Sequence, residues 1–257
     1  MIRHLLQLIW NQRKQNAWLW AELLLVSVFL WFLVDYLYVM GRTYTAPLGF
    51  DIRHTYSIVI SSLSERSPDY IPKEKRERPD GVHLLTALDR IRTYPGVESA
   101  CLTDGGMPYY MGSRNLVWRI DTLQVPCRYA FVTPEFFDVF RIYDKEGETA
   151  SLKRAIEDNN SIVISADVET MNPGLSLLGQ KAYRGNVTDE IEETIRGISV
   201  PIRRNEYTKA EPNVYRALRL SRMEEGYYEG MIDAVRLCVR VRPDVDNADF
   251  PDRKSVV

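Results

Sequence analysis

Metal-binding and redox-active side chains are scarce in this sequence. It holds three cysteines (Cys101, Cys127, Cys238) and three histidines (His4, His54, His83), scattered without a CxxC pair or any metal-ligand spacing. Neither a metal centre nor a complete disulfide framework follows from them. A Cys101–Cys127 bridge is open to an extracytoplasmic domain, and inert buried thiols are the default. No sign of charge dominates: 33 Lys and Arg against 35 Asp and Glu give a net charge of −2 and a pI near 6.0. That balance removes the basic face on which nucleic-acid recognition depends. There is no GxxxxGK[ST] phosphate loop, so no nucleotide-hydrolysing site of that kind, and no GxSxG, HExxH, EF-hand loop or GxGxxG. The sequence names no catalytic residue, no cofactor-binding residue and no metal ligand; the expectation is a protein that is not an enzyme and takes no cofactor. Asp104-Gly105-Gly106 reads as a plain loop, since paired glycines mark turns generally. Asn159-Asn160-Ser161 and Asn186-Val187-Thr188 match the glycosylation sequon, which has meaning only in a eukaryotic secretory pathway.

What the chain does have is one long apolar run. Residues 17–40 contain no Gly, Pro, Lys or Arg. As a helix they would extend roughly 36 Å, enough for a hydrocarbon core of about 30 Å with some tilt. Glu22 and Asp35 oppose insertion. A carboxylate at mid-bilayer costs roughly 2.5–3.5 kcal/mol and less near the ends, where both lie, while each Leu, Val or Phe returns about 0.3–0.6. Thirteen Leu, Val and Phe outweigh them. The two acids lie on roughly opposite helix faces and form no polar stripe, so each is read as facing a headgroup region or a partner helix, not as a proton relay. Trp18 and Trp20 at one end, with Tyr36, Tyr38 and Tyr44 at the other, fit interfacial belts. Residues 1–16 form an amphipathic juxtamembrane segment, with Ile2, Leu5, Leu6 and Ile9 on one face and Arg3, Gln7, Arg13 and Lys14 elsewhere. Three basic residues and no acid before the span favour a cytoplasmic N-terminus. Val39-Met40-Gly41 offers a signal-peptide cleavage site, but the length and aromatic content of the run favour an uncleaved anchor.

Beyond it, residues 41–257 read as a mixed α/β extracytoplasmic domain of α+β class that could divide into two lobes. After a connector over 41–55, a strand is expected at 56–63, then an exposed, mobile loop at 64–81 and a helix at 82–93 stopped by Pro95-Gly96. Further strands are expected at 97–103, 116–121, 125–133, 161–165, 194–200, 213–220 and 234–242. In the stretch 125–133, Val125, Cys127, Tyr129 and Phe131 share one face of the pleat. Thr133-Pro134-Glu135 reads as a helix start with a hydroxyl N-cap, opening a short helix over 135–140, and Ser165 as the cap of a helix ending near Met171. In the last strand Val235, Leu237, Val239 and Val241 alternate with Arg236, Cys238, Arg240 and Arg242; that arginine row could grip phosphate, but in a chain of pI near 6.0 it is read as a solvated face. The remainder, 243–257, reads as a polar linker or the start of a helix.

Several phrases resemble, in order, the MacB/FtsX-type ABC-transporter permeases, in particular those of Bacteroidetes. They are Ile91-Arg92-Thr93-Tyr94-Pro95-Gly96-Val97-Glu98-Ser99, then Val132-Thr133-Pro134-Glu135-Phe136-Phe137-Asp138-Val139-Phe140. Ser161-Ile162-Val163-Ile164-Ser165 follows, with Leu178-Gly179-Gln180-Lys181, Ile195-Arg196-Gly197-Ile198-Ser199 and the strand from Leu237 to Val245. The resemblance implies a periplasmic core domain on a bacterial inner-membrane anchor, a separate cytoplasmic ABC ATPase as partner, membrane lipid around the helix, and a second copy or further permease segments alongside. That family continues with three more transmembrane helices, whereas this sequence runs to Val257. The expectation is therefore a truncated or split permease, with two alternatives: a single-pass anchored binding or sensor domain, and an anchored enzyme, which lacks a constellation.

Overall fold

The computed structural model describes residues 3, 10, 14, 17–60, 63–64, 66–72, 75–110, 112, 114–185, 190–226 and 232–246. The chain divides into two units, residues 1–47 and 48–257. Most of the amphipathic segment expected at 1–16 lies outside the described residues, as do the second sequon and residues 247–257.

The first unit is helix α1 (Ala17–Thr45), 29 residues long with none buried. Its apolar window has a mean hydropathy of 2.2. Trp18, Leu24, Phe29, Trp31 and Phe32 are all exposed. So large an apolar surface calls for lipid around it, and the helix is long enough to cross a bilayer. It runs five residues past Met40 because nothing in Gly41-Arg42-Thr43-Tyr44-Thr45 forbids it. Arg42 suits the negative end of the helix dipole, and Thr45 Oγ1 donates to the Gly41 carbonyl at 3.0 Å. The break waits for Pro47, which disfavours helical backbone at the residue before it.

Among the described residues, the second unit is built on nine strands: β1 (Thr55–Ile58), β2 (Val97–Asp104), β3 (Arg114–Ile120), β4 (Leu123–Val132), β5 (Ser161–Ser165), β6 (Lys181–Arg184), β7 (Ile191–Ser199), β8 (Asn213–Ala217) and β9 (Val235–Val241). Five helices accompany them: α2 (Asp80–Arg92), α3 (Phe136–Val139), α4 (Ala150–Ala155), α5 (Asp167–Met171) and α6 (Leu220–Glu224). The strand order is β1-β9-β2-β4-β3-β6-β7-β5-β8, and β8 also pairs in parallel with β4, from Arg128 opposite Asn213 to Val132 opposite Ala217. Six strands, β4-β3-β6-β7-β5-β8, therefore close into a ring. The other three form an antiparallel wing attached through β2. Parallel and antiparallel pairs together with short helices make this an α+β domain.

Three apolar bodies hold it together. Trp118, Ile120, Val125, Cys127, Ile162, Ile164, Ala182, Ile195 and Val214 fill the ring. Leu84 and Leu88 of α2 pack on Ala100, Leu102, Leu237 and Val239 of the wing. Phe136, Phe137, Val139 and Phe140, with Leu152 and Ala155 of α4, cover Cys101, Cys238, Ala130, Val132, Val163 and Tyr215 on the opposite side. A bulge in β7 separates these environments: the register with β5 slips at Arg196, so Ile195 points into the ring while Gly197 meets α4. A Cβ at Gly197 would lie 2.8 Å from Val163 Cγ2.

Several expectations need correction. The middle of the last strand has no solvated face: Cys238 is 0% exposed and Arg240 1%, because the α3 layer covers the side that alternation alone assigned to water. Arg236 is half-buried and Arg242, past the strand's end, is exposed. Arg240 donates from Nε to the Val139 carbonyl at 2.6 Å, from Nη1 to that of Arg53 at 2.8 Å, and from Nη2 to that of Asp51. The expected single face of β4 is kept, but its two ends meet different neighbours. Val125, Cys127 and Tyr129 face the ring, Phe131 continues their row to the ring's mouth and also packs against the wing cluster, and Ala130 and Val132 are buried on the opposite side. Pro126 is tolerated within β4 because only β3 pairs there, leaving the missing N–H without a strand to serve. Thr133 does not cap a helix: its hydroxyl accepts the Leu102 N–H at 3.2 Å, extending the β2–β4 contact, and α3 begins after Glu135 with no side-chain cap. Ser165 Oγ likewise accepts the Asn213 N–H at 2.9 Å, tying β5 to β8, and α5 starts after Ala166. The loop expected to extend to residue 81 is anchored earlier. Asp80 opens α2 and accepts from Arg76 Nη1 at 2.7 Å. A Cβ on Gly81 would lie 2.4 Å from the Met223 carbonyl oxygen, so only glycine lets α6 approach this closely. The first strand is short, ending at Ile58.

Asp144 pins the chain between α3 and α4. Its carboxylate accepts the N–H groups of Glu146 at 3.0 Å and Glu148 at 2.8 Å, and the Ser151 hydroxyl. Burial pushes its pKa up, but the Ser151 and backbone donors outweigh that and hold it below the ordinary 3.8. A lowered carboxylate pKa stabilises the fold above the unfolded-state value, and the contribution disappears as pH falls through the folded one. Asp144→Asn is expected to lose about 1–3 kcal/mol at pH 7, with the gap from the parent narrowing below pH ~4. Urea-denaturation midpoints of both chains at pH 7 and pH 3 check this; an equal gap at both would rule out the ionised carboxylate as the source.

Candidate functional site

Period-two alternation carries each ring-facing row beyond the apolar filling, and at one end of the ring every row but that of β4 turns polar. Ile120, Trp118 and Leu116 on β3 lead to Arg114. Ile164 and Ile162 on β5 lead to Asn160; Ala182 on β6 leads to Arg184; Ile195 on β7 leads to Glu193; Val214 on β8 leads to Arg216. On β4 the row ends in Phe131. Together with Asp104, Asn159, Ile191, Ala217, Arg219, Arg222 and Ala234 these residues line a cleft of about 630 Å³ at the mouth of the ring. Mouths of strand barrels are recurrent ligand sites, and the volume is that of a pocket for a small organic molecule.

Two buried acids organise the floor. Glu193, 2% exposed, accepts from Arg216 Nε at 2.7 Å and from its Nη2 through the same oxygen, Oε1. Its other oxygen lies 3.4 Å from Arg184 Nε, within ion-pair range but out of line for a hydrogen bond. Asp104 Oδ2, at the end of β2, sits 3.0 Å from Arg114 Nη1. Burial raises the Asp104 pKa and Arg114 opposes the rise. Burial lowers the Arg216 pKa; Glu193 opposes this, while Arg184 and Arg219 add to it by like-charge repulsion. The Arg216 guanidinium lies 4.9 Å from the centre of the Phe131 ring, and that of Arg114 lies 5.9 Å from it. Among the described residues, five guanidinium groups thus line the cleft beside two carboxyl groups, in a chain whose net charge is −2. The arrangement suits oxyanion binding, since each planar guanidinium presents several donors in a fixed fork.

Sequence reasoning named no site, and two phrases it dismissed border this one: Asp104 of the Asp-Gly-Gly loop and Asn159-Asn160 of the first sequon. The available signal was the polar residue terminating five of the six apolar period-two rows. Other singled-out residues lie elsewhere. His54 pairs through Nδ1 with Asp246, which also accepts from the Tyr56 hydroxyl; His83 is exposed on α2; Glu22 and Asp35 are exposed on α1. Arg236 lies over the Tyr110 ring at 5.7 Å, and Arg242 is exposed beside Asp244. The three cysteines are free and buried, with Cys101 opposite Cys238 across β2 and β9. Burial drives the Cys101 thiol well above its ordinary range and that of Cys127 to about 12, so both are unreactive as nucleophiles.

No protein-family model matches the chain, and no curated protein matches it by sequence. Among solved structures it is similar to a domain of a candidate permease protein from Porphyromonas gingivalis, at 20% identity and a TM-score of 0.46. That match covers 65% of this chain and 65% of the other, just under two thirds of its length. It is also similar to the periplasmic region of MacB from Actinobacillus actinomycetemcomitans, at 10% identity, 83% and 85% coverage and a TM-score of 0.45. A third similarity is to the extracellular domain of the noncanonic ABC-type transporter YknZ from Gram-positive bacteria, at 11% identity, 77% and 87% coverage and a TM-score of 0.45.

Proposed function

We propose that the chain is a subunit of a MacB/FtsX-type ABC-transporter permease, or a segment of one. In this reading α1 crosses the bacterial inner membrane with the N-terminus in the cytoplasm, and residues 48–257 lie in the periplasm. A separate cytoplasmic ATPase moves the membrane helices, and the periplasmic domain follows as a folded body, since a close-packed interior transmits displacement. The observation that carries this reading is α1, a 29-residue apolar helix with no buried residue. The family-like phrases agree with it, because they fall on core elements of the fold: Phe136, Phe137, Val139 and Phe140 in one cluster, β5 and β9 in the sheet. Membrane lipid and the ATPase are the partners, with a second copy or further permease segments alongside α1.

Topology and coupling are tested together. Protease added to intact spheroplasts should digest residues 48–257 and spare an epitope placed before Met1. Cross-linking in the membrane followed by solubilisation through that epitope should bring down an ABC ATPase. Release of the domain into the medium without protease, or digestion of the epitope, would contradict the anchor and its orientation. A second reading, an anchored binding or sensor domain without transport, draws support from the arginine-lined cleft. It is favoured if the phenotype of deleting this chain is unchanged when the cross-linked ATPase is inactivated.

A further inference from the structure

We propose that the mouth of the strand ring is a binding site for an organic anion carrying a phosphoryl group. The inference stands on the cleft alone and holds whether or not an ATPase drives the chain. A set of ion pairs that merely stabilised the fold would balance its charges, and this one does not. Glu193 engages Arg216 and Arg184, Asp104 engages Arg114, and the guanidinium of Arg219 has no hydrogen bond or ion pair among the described residues. Arg222 brings a further positive charge to the same wall.

The buried acids also do what a binding site needs from its supporting residues. By holding Arg216 at two nitrogens and pairing with Arg184 and Arg114, they fix the guanidinium planes before any ligand arrives, which reduces the ordering cost of binding. Like-charge repulsion among Arg184, Arg216 and Arg219 is left for an anion to relieve.

Arg216 and Arg184 sharing one carboxylate, with Arg219 beside them, match a doubly charged phosphoryl group better than a single carboxylate. Guanidinium forks fit phosphate oxygens in a bidentate manner. Phe131, Ile191, Ala217 and Ala234 supply an apolar part of the lining, and the cleft of about 630 Å³ exceeds what a bare ion fills, so the phosphoryl group should carry an organic body. Two sources share that chemistry: a soluble phosphate ester and a phospholipid headgroup.

The test uses the full chain in nanodiscs of neutral phosphatidylcholine, titrated calorimetrically with inorganic pyrophosphate, glycerol 3-phosphate and a water-soluble short-chain phosphatidic acid. Saturable binding of at least one probe is expected, weakening with added salt. Arg219→Ala should weaken it by about tenfold, the effect of losing one charge-assisted hydrogen bond, and Arg219→Ala/Arg222→Ala further. Neither side chain is buried, so both variants should fold, and an unchanged melting temperature would confirm that they do. Tighter binding of phosphatidic acid than of glycerol 3-phosphate would identify the lipid source; equal binding would identify the soluble one. If no probe binds below about 1 mM, or if the folded double variant binds as tightly as the parent, the proposal is wrong.

Discussion

Replacing Arg240 by alanine is expected to destabilise residues 48–257 by about 3–5 kcal/mol, the range for removing one partner of a buried charged network. That is a large part of the 5–15 kcal/mol available to a typical domain. The side chain is 1% exposed and joins two segments distant from it in sequence: the Val139 carbonyl at the end of α3, and the Arg53 and Asp51 carbonyls ahead of β1. Its charge is balanced by the Asp51 carboxylate, whose Oδ2 is 3.9 Å from Nη1. Truncation takes the guanidinium donors from all three carbonyls, leaving those of Arg53 and Val139, among the described residues, only the Thr55 hydroxyl at 3.4 and 3.5 Å, and opens a cavity under α3. Arg240→Lys keeps the charge but cannot present three donors in a plane, so it should recover less than half the loss. Equilibrium urea unfolding of the parent and both variants measures this. If Arg240→Ala costs under about 1 kcal/mol, the range of an exposed ion pair, the buried network contributes little.

Phe136→Ala should come next in severity, at about 3–5 kcal/mol. Phe136 is fully buried, and its ring centre lies 4.9 Å from that of Phe140, 5.4 Å from that of Tyr215 and 5.8 Å from that of Phe137. Removing it takes the shared contact from three other rings, and a four-residue helix has little backbone with which to close the gap. For a domain of this size the expected fall in melting temperature is about 10 °C. Phe136→Leu, which refills most of the volume, should restore more than half. If alanine and leucine lower the melting temperature equally, something other than the cavity sets the loss.

The local pattern made much of this fold legible. The apolar run announced α1, period-two stretches located most strands, and Pro95-Gly96 marked the end of α2. What sequence could not supply was the second neighbour of each element. The alternation in β9 shows that Val235, Leu237, Val239 and Val241 share a face, but whether Cys238 and Arg240 meet water depends on α3, about a hundred residues earlier. Thr133 and Ser165 each have the chemistry of a helix cap, yet each hydroxyl accepts from a strand that sequence does not place beside it. The cleft was hidden for the same reason. Its five arginines lie on four separate elements or their ends, and only the parallel pairing of β8 with β4 brings Arg216 beside Phe131.

The ring and wing also dictate when this domain can form. Thr55 has no strand partner until Arg240 has been made, the Arg240–Arg53 hydrogen bond spans 187 positions, and the ring stays open until residues 213–217 are available. A nascent chain can assemble the β3–β4 hairpin early, but the ring cannot close before Ala217 has emerged, nor the first strand pair before Arg240 has. Long-range strand pairing places such a domain among slow folders, because loop closure must precede the contacts that compensate for it. During that interval the edges of β1 and β4 stand open to other chains. The period between anchoring and completion is therefore when this protein is most vulnerable to proteases and aggregation, whatever the stability of its finished fold.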